Sequence, residues 1–301
     1  MTLPPTPGSH IRAEIARQPG SWARAVLLAA DLQDRLPRSG ESVAVIGCGT
    51  SWFMASSYAA LRESRGQGRT DAFAASELPM DRDYDRVVAI SRSGTTTEVL
   101  RAIETVASPV LAITAVAGTP VPEAASDAVV LDFADERSVV QTLFATTTLC
   151  LLRAGLGEPL EPVIEQTERV LAGVPAVPTA LATAGQISFL GSGWAYGVAQ
   201  EAALKLREAA QLWTEAYLQM EYRHGPIAIA EPGRAVWVLG RPVVGLLDDI
   251  AATGATIVDD DLDPLADLVR AQLLAADRAE RAALDPDQPR HLTRSVVLAD
   301  S

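Results

Sequence analysis

The sequence predicts an α/β protein that contains two copies of one unit, each a parallel sheet flanked by helices on both faces in the flavodoxin-like arrangement. Short apolar runs of strand length alternate along the chain with longer segments of helical periodicity. Strands that alternate with helices pair in parallel and need helices over both faces. The stretches VIGCG (45–49) and FLGSG (189–193) share one pattern, an apolar run that enters a glycine loop before a helix. This similarity predicts that the unit occurs twice.

In the first half of the chain, apolar runs rich in valine, isoleucine and leucine predict buried strands at 43–46, 86–90, 110–114 and 128–133. Segments with helical periodicity surround them, at 11–36 (interrupted at Pro19-Gly20), 52–64, 97–106 and 136–156. Thr95 and Glu98 have the spacing of a capping box, which predicts that a helix begins next to Thr95.

In the second half, a helix followed by a proline-rich linker is predicted within 159–181, and a strand-loop-helix begins at Ile187. Later strands are expected at 235–240 and 255–260, with a last helix at 263–284. We therefore divide the chain into four regions. They are an N-terminal arm and helix (1–36), a first domain that binds phosphate (37–171), a linker (172–184) and a shortened second domain with a C-terminal tail (185–301).

Composition and charge limit the possible partners. The formal net charge is −13, from 25 basic and 38 acidic side chains, and such a surface repels nucleic acid. The only cysteines are Cys48 and Cys150, which favours a reducing compartment. The first residues lack the features of a signal peptide, and no apolar run reaches transmembrane length. We expect a cytoplasmic protein that binds neither nucleic acid nor membrane.

Two hydroxyl-rich glycine loops, GCGTS (47–51) and SRSGTTT (91–97), are candidates for binding a phosphate group. Ligands of a parallel sheet bind beyond the carboxyl ends of its strands, where both loops are predicted to lie. Hydroxyl groups and free N–H groups at a helix start can surround an anion, and the four hydroxyls are those of Ser51, Ser91, Ser93 and Thr96. The alternative is that these side chains only cap two helices.

A dinucleotide is not expected in either glycine loop. The dinucleotide fingerprint needs a third glycine where this chain has Trp52 and, in the second loop, Tyr196. We therefore expect no cofactor.

Lys205 is the only lysine in the chain, and it lies in the stretch EAALKLRE between Glu201 and Glu208. Residues three, four and seven apart share one face of a helix, so these three side chains form a row. An exposed salt-bridge ladder would have this spacing, but arginine would serve a ladder equally well. Lysine is a compact donor that can release its proton when its pKa is lowered, and a carboxylate beside it can transfer protons. This favours a catalytic role.

His224 is one of three histidines, with His10 and His291, and it precedes Gly225-Pro226. A histidine at such a position commonly belongs to a turn. Cysteines and histidines are too few and wrongly spaced for a zinc site, so we expect no metal.

The motifs that carry these residues resemble those of the sugar isomerase (SIS) domain family, and in particular the isomerase half of the glucosamine-6-phosphate synthases. In the family's order, and over nearly the whole chain, they are GCGTSW, SRSGTTTE, ERSVVQT, EAALKLREAA, TEAYLQMEYRHGP and DPDQPRHLTRSV. The resemblance implies two tandem SIS domains, with a phosphorylated sugar bound by the first. The residues that it assigns to the phosphate are Gly49, Thr50, Ser51, Ser91, Arg92, Ser93 and Thr96.

The resemblance also implies a set of catalytic roles. Glu208 would carry the proton between C1 and C2 of the sugar, and Lys205 would assist proton movement at a hydroxyl group. His224 would open the sugar ring from the other subunit, which implies a homodimer with sites at the subunit interface. Glu201 would lie at the edge of the site.

Three features depart from the synthases. No glutaminase domain precedes His10, so we expect that glutamine does not supply ammonia within this chain. Arg294 occupies the position of a lysine that forms a Schiff base in the family, and arginine stays protonated and forms no imine. Arg92 replaces a glutamine in the phosphate loop and adds a positive charge there.

We therefore expect a phosphosugar isomerase or deaminase acting on an amino-sugar phosphate such as glucosamine 6-phosphate. Two alternatives stay open at the level of the sequence. One is a phosphosugar-sensing SIS protein without catalysis, and the other is a synthase subunit that receives ammonia from solution or from a partner chain.

Overall fold

The apolar runs of the sequence form two parallel β-sheets in the computed structural model, which describes residues 6–298. The chain divides into two units, named here after their strands. The β1–β5 unit consists of Gly20–Glu136, Leu143–Leu160 and residues 293–298. The β6–β9 unit consists of residues 6–19, Arg137–Thr142 and Glu161–Leu292.

Helix α1 spans Ser9–Asp31 and contains Pro19, so the predicted interruption at Pro19-Gly20 is wrong. A proline inside a helix leaves the carbonyl four residues earlier without its N–H donor. That carbonyl belongs to Ile15, and the side-chain amide of Gln18 donates to it at 3.4 Å. Gln18 is fully buried, and this replacement bond explains why the helix continues.

The β1–β5 unit is a parallel sheet with the strand order β2-β1-β3-β4-β5. Its strands are β1 Val43–Gly47, β2 Thr70–Ala74, β3 Arg86–Ile90, β4 Val110–Thr114 and β5 Asp127–Val130. Its helices are α2 Thr50–Ser64, α3 Thr97–Thr105, α4 Pro120–Ala124 and α5 Leu143–Gly155. The central strands are buried along their length, with alternate residues such as Ile46 and Val87 packed against Val99 of α3. Such strands are typical of a sheet covered on both faces.

The β6–β9 unit is a parallel sheet with the order β7-β6-β8-β9, which repeats the order β2-β1-β3-β4. Its strands are β6 Ile187–Gly191, β7 Thr214–Leu218, β8 Ala235–Leu239 and β9 Thr256–Val258. Its helices are α6 Glu161–Leu171, α7 Ala195–Ala210, α8 Gln219–Tyr222, α9 Leu246–Ala251 and α10 Pro264–Arg281. Within the part of the chain that the structure covers, this sheet has one strand fewer than the first.

These observations confirm an α/β fold with parallel sheets flanked by helices, while the domain boundaries stay predictions. Two local predictions are wrong. The helix expected from residue 136 begins at Leu143, because the carboxylate of Glu136 accepts the N–H groups of Leu143 at 2.7 Å and Phe144 at 3.1 Å and so ends the preceding loop. Helix α3 begins at Thr97 as predicted, but its N-cap is Thr96 without a side-chain cap bond, so Thr95 forms no capping box.

None of the helices within residues 6–298 combines the length and the apolar character that crossing a bilayer requires.

Candidate active site

Two glycine loops follow neighbouring strands of the first sheet. Strands β1 and β3 pair in parallel, so the loops after Gly47 and Ile90 lie at the same edge of the sheet. Gly47 permits a turn that other residues would block, since a Cβ there would lie 2.7 Å from the backbone of Ser51. Gly191 is in the same position in the second sheet, where a Cβ would lie 2.4 Å from the carbonyl oxygen of Ala195. The turns at Gly47 and Gly191 thus depend on glycine for the same steric reason.

The hydroxyl groups of the SRSGTTT loop (residues 91–97, called the phosphate loop below) converge on each other. The hydroxyl oxygens of Ser91 and Thr96 are 3.3 Å apart. The hydroxyl of Ser93 accepts hydrogen bonds from the backbone N–H of Thr95 at 3.2 Å and from its hydroxyl at 3.0 Å. Such a cluster of donors after a strand and before a helix can hold an anion.

The other predicted phosphate ligands lie at the same edge of the sheet. Gly49 is exposed and has φ 53, in the left-handed region that favours glycine. Thr50 and Ser51 are buried in the first turn of α2. Arg92 is also buried, within the phosphate loop itself.

The C-terminal tail, residues 293–298, contacts the phosphate loop. The hydroxyl of Ser295 accepts hydrogen bonds from Ser93 at 3.0 Å and from Thr95 at 2.9 Å. A guanidinium nitrogen of Arg92 donates to the carbonyl of Arg294 at 2.6 Å. Thr95 and Ser295 were not among the residues predicted from the sequence.

Arg294 anchors the tail through its own side chain. Its guanidinium donates to the carboxylate of Asp135 and to the backbone carbonyl of Glu136. The side chain of Arg294, which the sequence resemblance aligns with a lysine, is thus held in an ion pair with Asp135.

The row of Glu201, Lys205 and Glu208 forms on α7 as its spacing predicts. The ammonium nitrogen of Lys205 lies 3.3 Å from a carboxylate oxygen of Glu201 and 2.6 Å from one of Glu208. The side chains of Lys205 and Glu201 are 1% exposed, whereas that of Glu208 is 19% exposed. The row is therefore not an exposed ladder: one carboxylate reaches solvent from a buried ion pair.

The charges of the row determine the protonation of Lys205. Burial lowers its pKa, but the negative charges of Glu201 and Glu208 outweigh burial, and the pKa of Lys205 is raised above its usual value. This is the opposite of the shift on which a proton-releasing lysine would depend. A raised pKa favours the ammonium form of Lys205, which can stabilise negative charge and is not a nucleophile.

A cleft of about 550 Å³ opens beside Glu208 within the β6–β9 unit. Its lining includes Arg207, Trp213, Glu215 and His291. The indole of Trp213 is 71% exposed. Glu208 therefore presents its carboxylate to a space in which a small polar molecule fits.

His224 follows α8 in a turn, where its backbone N–H donates to the carbonyl of Glu221 at 3.0 Å. Its side chain is exposed. The phosphate loop belongs to the β1–β5 unit, and the Glu201-Lys205-Glu208 row and His224 belong to the β6–β9 unit. Across residues 6–298, no group of three or more His, Cys, Asp or Glu side chains is placed to hold a metal ion.

Comparison with known proteins identifies the family. Residues 38–154, which carry both glycine loops of the first sheet, match the sequence model of the SIS domain. The chain contains a SIS domain at these residues. The resemblance predicted from the motifs is thereby confirmed.

Among curated relatives, this SIS-domain protein is 28% identical to the isomerizing glutamine–fructose-6-phosphate aminotransferase of Methanothermobacter thermautotrophicus, over 86% of the chain and 52% of the relative. It is 30% identical to the enzyme of the same name from Mycolicibacterium smegmatis, over 95% of the chain and 57% of the relative. The chain thus spans about half the length of the curated relatives it matches.

Solved structures share the fold of this SIS-domain protein. Glucosamine-6-phosphate deaminase from Thermotoga maritima superposes with a TM-score of 0.81 at 24% identity, over 96% of this chain and 100% of that one. Tagatose-6-phosphate ketose/aldose isomerase from Escherichia coli gives a TM-score of 0.80 at 20% identity, over 98% of this chain and 99% of that one. At these identities the likeness concerns the fold alone.

Proposed function

We propose that this SIS-domain protein is an aldose–ketose isomerase or deaminase of phosphosugars, with an amino-sugar phosphate such as glucosamine 6-phosphate as its substrate. The observation that carries the proposal is the Glu201-Lys205-Glu208 row. A single part-exposed carboxylate, 2.6 Å from a buried ammonium ion, opens onto a cleft. This is the arrangement of a general base beside a fixed positive charge.

The phosphate loop supplies the binding half of the proposal. Ser91, Ser93 and Thr96, with Gly49, Thr50, Ser51 and Arg92 at the same sheet edge, would bind the phosphate group. The names of the relatives support a phosphosugar, since they include a glucosamine-6-phosphate deaminase and a tagatose-6-phosphate isomerase. The order of strands common to both sheets supports two tandem SIS domains.

In the proposed mechanism, His224 opens the sugar ring and Glu208 removes the proton from C2. The electron pair forms an enolamine while water gives a proton to the C1 oxygen. Glu208 then delivers its proton to C1, which leaves an iminium ion at C2, and this ion returns a proton to the hydroxide and becomes an imine. Lys205 remains an ammonium ion and stabilises the negative charge that develops on the sugar oxygen. In the deaminase, the resulting C2 imine adds water and releases ammonia, so glucosamine 6-phosphate and water yield fructose 6-phosphate and ammonia.

Two observations support deamination or isomerisation over synthesis through a lysine imine. Arg294 forms no imine, and its guanidinium is engaged by Asp135. Lys205 has a raised pKa and lacks the free electron pair that imine formation needs. A synthase that depends on such an imine would leave a reduced lysine adduct after borohydride treatment, and we expect none.

The test is to add glucosamine 6-phosphate and follow ammonia and fructose 6-phosphate. We expect both products from the natural protein and a kcat about 10²- to 10⁴-fold lower for Glu208→Gln, because the amide cannot accept the proton. Glu231→Gln is the matched control, since Glu231 is an exposed glutamate that pairs with Arg234 on the surface. If neither this sugar nor any other phosphosugar of a panel is converted, the enzymatic proposal fails and a sensor remains.

A further inference from the structure

The C-terminal tail places one more hydroxyl group in the phosphate loop. The hydroxyl oxygen of Ser295 lies 3.0 Å from that of Ser93 and 2.9 Å from that of Thr95. These three oxygens form a triangle that joins the loop to a residue about 200 positions later in the chain. Ser93 is buried, and Ser295 and Thr95 are partly exposed, so the triangle is reachable from solvent on one side.

The directions of these hydrogen bonds show what the triangle can bind. Ser295 accepts from Ser93, and it shares the single hydroxyl proton of Thr95 with Ser93 in a three-centre hydrogen bond. Its oxygen therefore serves as an acceptor for the same hydroxyl donors that would bind an oxygen of a phosphate group. Its own hydroxyl proton is needed for neither bond, and a hydroxyl group can rotate to donate that proton to an anion.

We propose that Ser295 is a further ligand of the substrate's phosphate group, an inference that rests on the proposed function of the phosphate loop. When phosphate enters, Ser93 and Thr95 turn their donors to its oxygens, and Ser295 changes from acceptor to donor. The tail thereby forms a wall of the phosphate pocket and contributes directly to affinity.

The tail is anchored on both sides of Ser295. On one side, Arg92 donates to the carbonyl of Arg294, whose guanidinium pairs with Asp135. On the other side, the N–H of Thr97 donates to the carbonyl of Val296 at 3.2 Å, and the N–H of Leu298 donates to the hydroxyl of Thr97 at 2.9 Å. A hydroxyl group that is already held in position adds affinity without a large cost in ordering.

The anchors also connect the two arginines that depart from the family pattern. Arg92 replaces a glutamine and Arg294 replaces a lysine, and the first donates to the backbone of the second at 2.6 Å. Together they fix the residue that comes next in the chain, Ser295. A tail that served only as a plug would use the same contacts but would compete with phosphate instead of binding it.

The experiment measures binding by calorimetry, with inorganic phosphate and with glucitol 6-phosphate, which has no carbonyl group and cannot be isomerised. We expect Ser295→Ala to bind both ligands about 10- to 100-fold more weakly, the usual effect of losing one hydrogen bond to a charged group. Ser295→Thr keeps the hydroxyl and should restore most of the affinity. Thermal unfolding of each variant checks that the fold is retained.

Thr293→Ala is the matched control in the same segment. The hydroxyl of Thr293 donates to the backbone carbonyl of Ser295 at 2.8 Å, so its loss loosens the tail without removing the proposed ligand. We expect its affinity to stay within about twofold of the natural protein's, since the lost bond is exposed. An equal loss in both variants would mean that Ser295 acts only by ordering the tail, and the inference would be wrong.

Two other results overturn the inference. Unchanged or tighter binding in Ser295→Ala would identify the tail as a plug, and absence of binding in the natural protein would leave no phosphate site for Ser295 to serve. Failure of the proposed function is separate, because these measurements need no turnover. A protein that converts no phosphosugar, yet loses phosphate affinity in Ser295→Ala, would contradict the reaction and support the ligand.

Discussion

Lys205 is the residue on which the candidate site depends, because its buried ammonium group pairs with the carboxylates of both Glu201 and Glu208. Its position could be predicted from the sequence, since the spacing of Glu201, Lys205 and Glu208 determines one helix face. Its protonation could not, because the direction of the pKa shift depends on the balance between burial and two charges within 3.3 Å. That balance follows from the packing around α7 and not from the sequence EAALKLRE (201–208) itself.

The raised pKa of Lys205 predicts a dependence of stability on pH. A group whose pKa is higher in the folded than in the unfolded state stabilises the fold fully below the unfolded value, about 10.4 for lysine, and this contribution is lost as pH rises through the folded value. Removing the ammonium group in Lys205→Met leaves Glu201 as a buried charge without its cation. We therefore expect the free energy of unfolding to fall by about 3–5 kcal/mol at pH 8.

Urea unfolding at pH 8 and at pH 11 measures this effect. The gap between the natural protein and Lys205→Met should narrow at pH 11, and adding Glu201→Gln should recover part of the loss at pH 8. Arg281→Met, which removes an exposed cation at the end of α10, is the control and should change little. A gap of equal size at both pH values would contradict the shifted pKa.

Thr95 and Ser295 are functional candidates that the sequence did not indicate. Thr95 and Glu98 have the sequence spacing of a capping box, and this local pattern gives no sign that Thr95 contacts the tail. Ser295 lies beside Arg294 in the motif HLTRSV, but its neighbour Ser93 is about 200 residues away in the chain. Contacts at such a separation follow from the tertiary fold and leave no periodicity to recognise.

At the scale of elements, the buried strands and two of the edge strands, β5 and β9, could be predicted, whereas the edge strands β2 and β7 could not. Strands β1, β3 and β4 are nearly continuous apolar runs, because they are covered on both faces. Strands β2 and β7 pair with one neighbour each and are only partly buried, with the mixed sequences TDAFA and TEAYL. An edge strand needs no uninterrupted apolar run, so its sequence resembles that of a loop.

The Glu136 carboxylate at the start of α5 is predicted to stabilise the first turn of that helix. Both oxygens of the buried Glu136 carboxylate accept N–H groups at the first turn, where the helix dipole also favours negative charge. We expect Glu136→Ala to lower the free energy of unfolding by about 2–3 kcal/mol and Glu136→Gln by about half as much, since the amide keeps one acceptor without the charge. Urea unfolding at neutral pH measures both.

Glu161→Ala is the control for this comparison. Glu161 is an exposed glutamate in the first turn of α6, where water can replace its contacts. Its removal should cost less than about 0.5 kcal/mol. If Glu136→Ala costs no more than this control, the carboxylate does not determine where α5 begins.

At the scale of the whole molecule, the two sheets share one order of strands and one glycine turn but differ in chemistry. Gly47 and Gly191 allow the same close turn, yet only the first loop continues with the hydroxyl pair Thr50-Ser51. The second unit instead carries the acid and the ammonium ion on the helix that follows its glycine loop. Under the proposed function, the first unit would bind the phosphate group and the second would transfer the proton, as expected if two copies of one unit acquired separate roles.

The homodimer that the sequence resemblance implies leads to the last prediction, which concerns how two subunits share a site. If His224 acts on the sugar bound near Glu208 of the partner subunit, each site takes Glu208 from one chain and His224 from the other. Glu208→Gln then removes one residue of a site and His224→Ala removes the residue that the other chain supplies. Each variant alone should be nearly inactive. Mixing equal amounts, with exchange of subunits, should produce hybrid dimers in which one of two sites has both natural residues.

Half of the dimers in a random mixture are hybrids, and half of their sites are intact, so activity should return to about a quarter of the natural level. Mixing Glu208→Gln with Lys205→Met is the control, because both changes lie in one row on one helix. A hybrid of these two contains one subunit with each damaged row and should stay inactive. No recovery in the Glu208→Gln and His224→Ala mixture would mean that His224 serves the site of its own chain or none at all. Recovery in the control would mean that activity returns for a reason other than a shared His224.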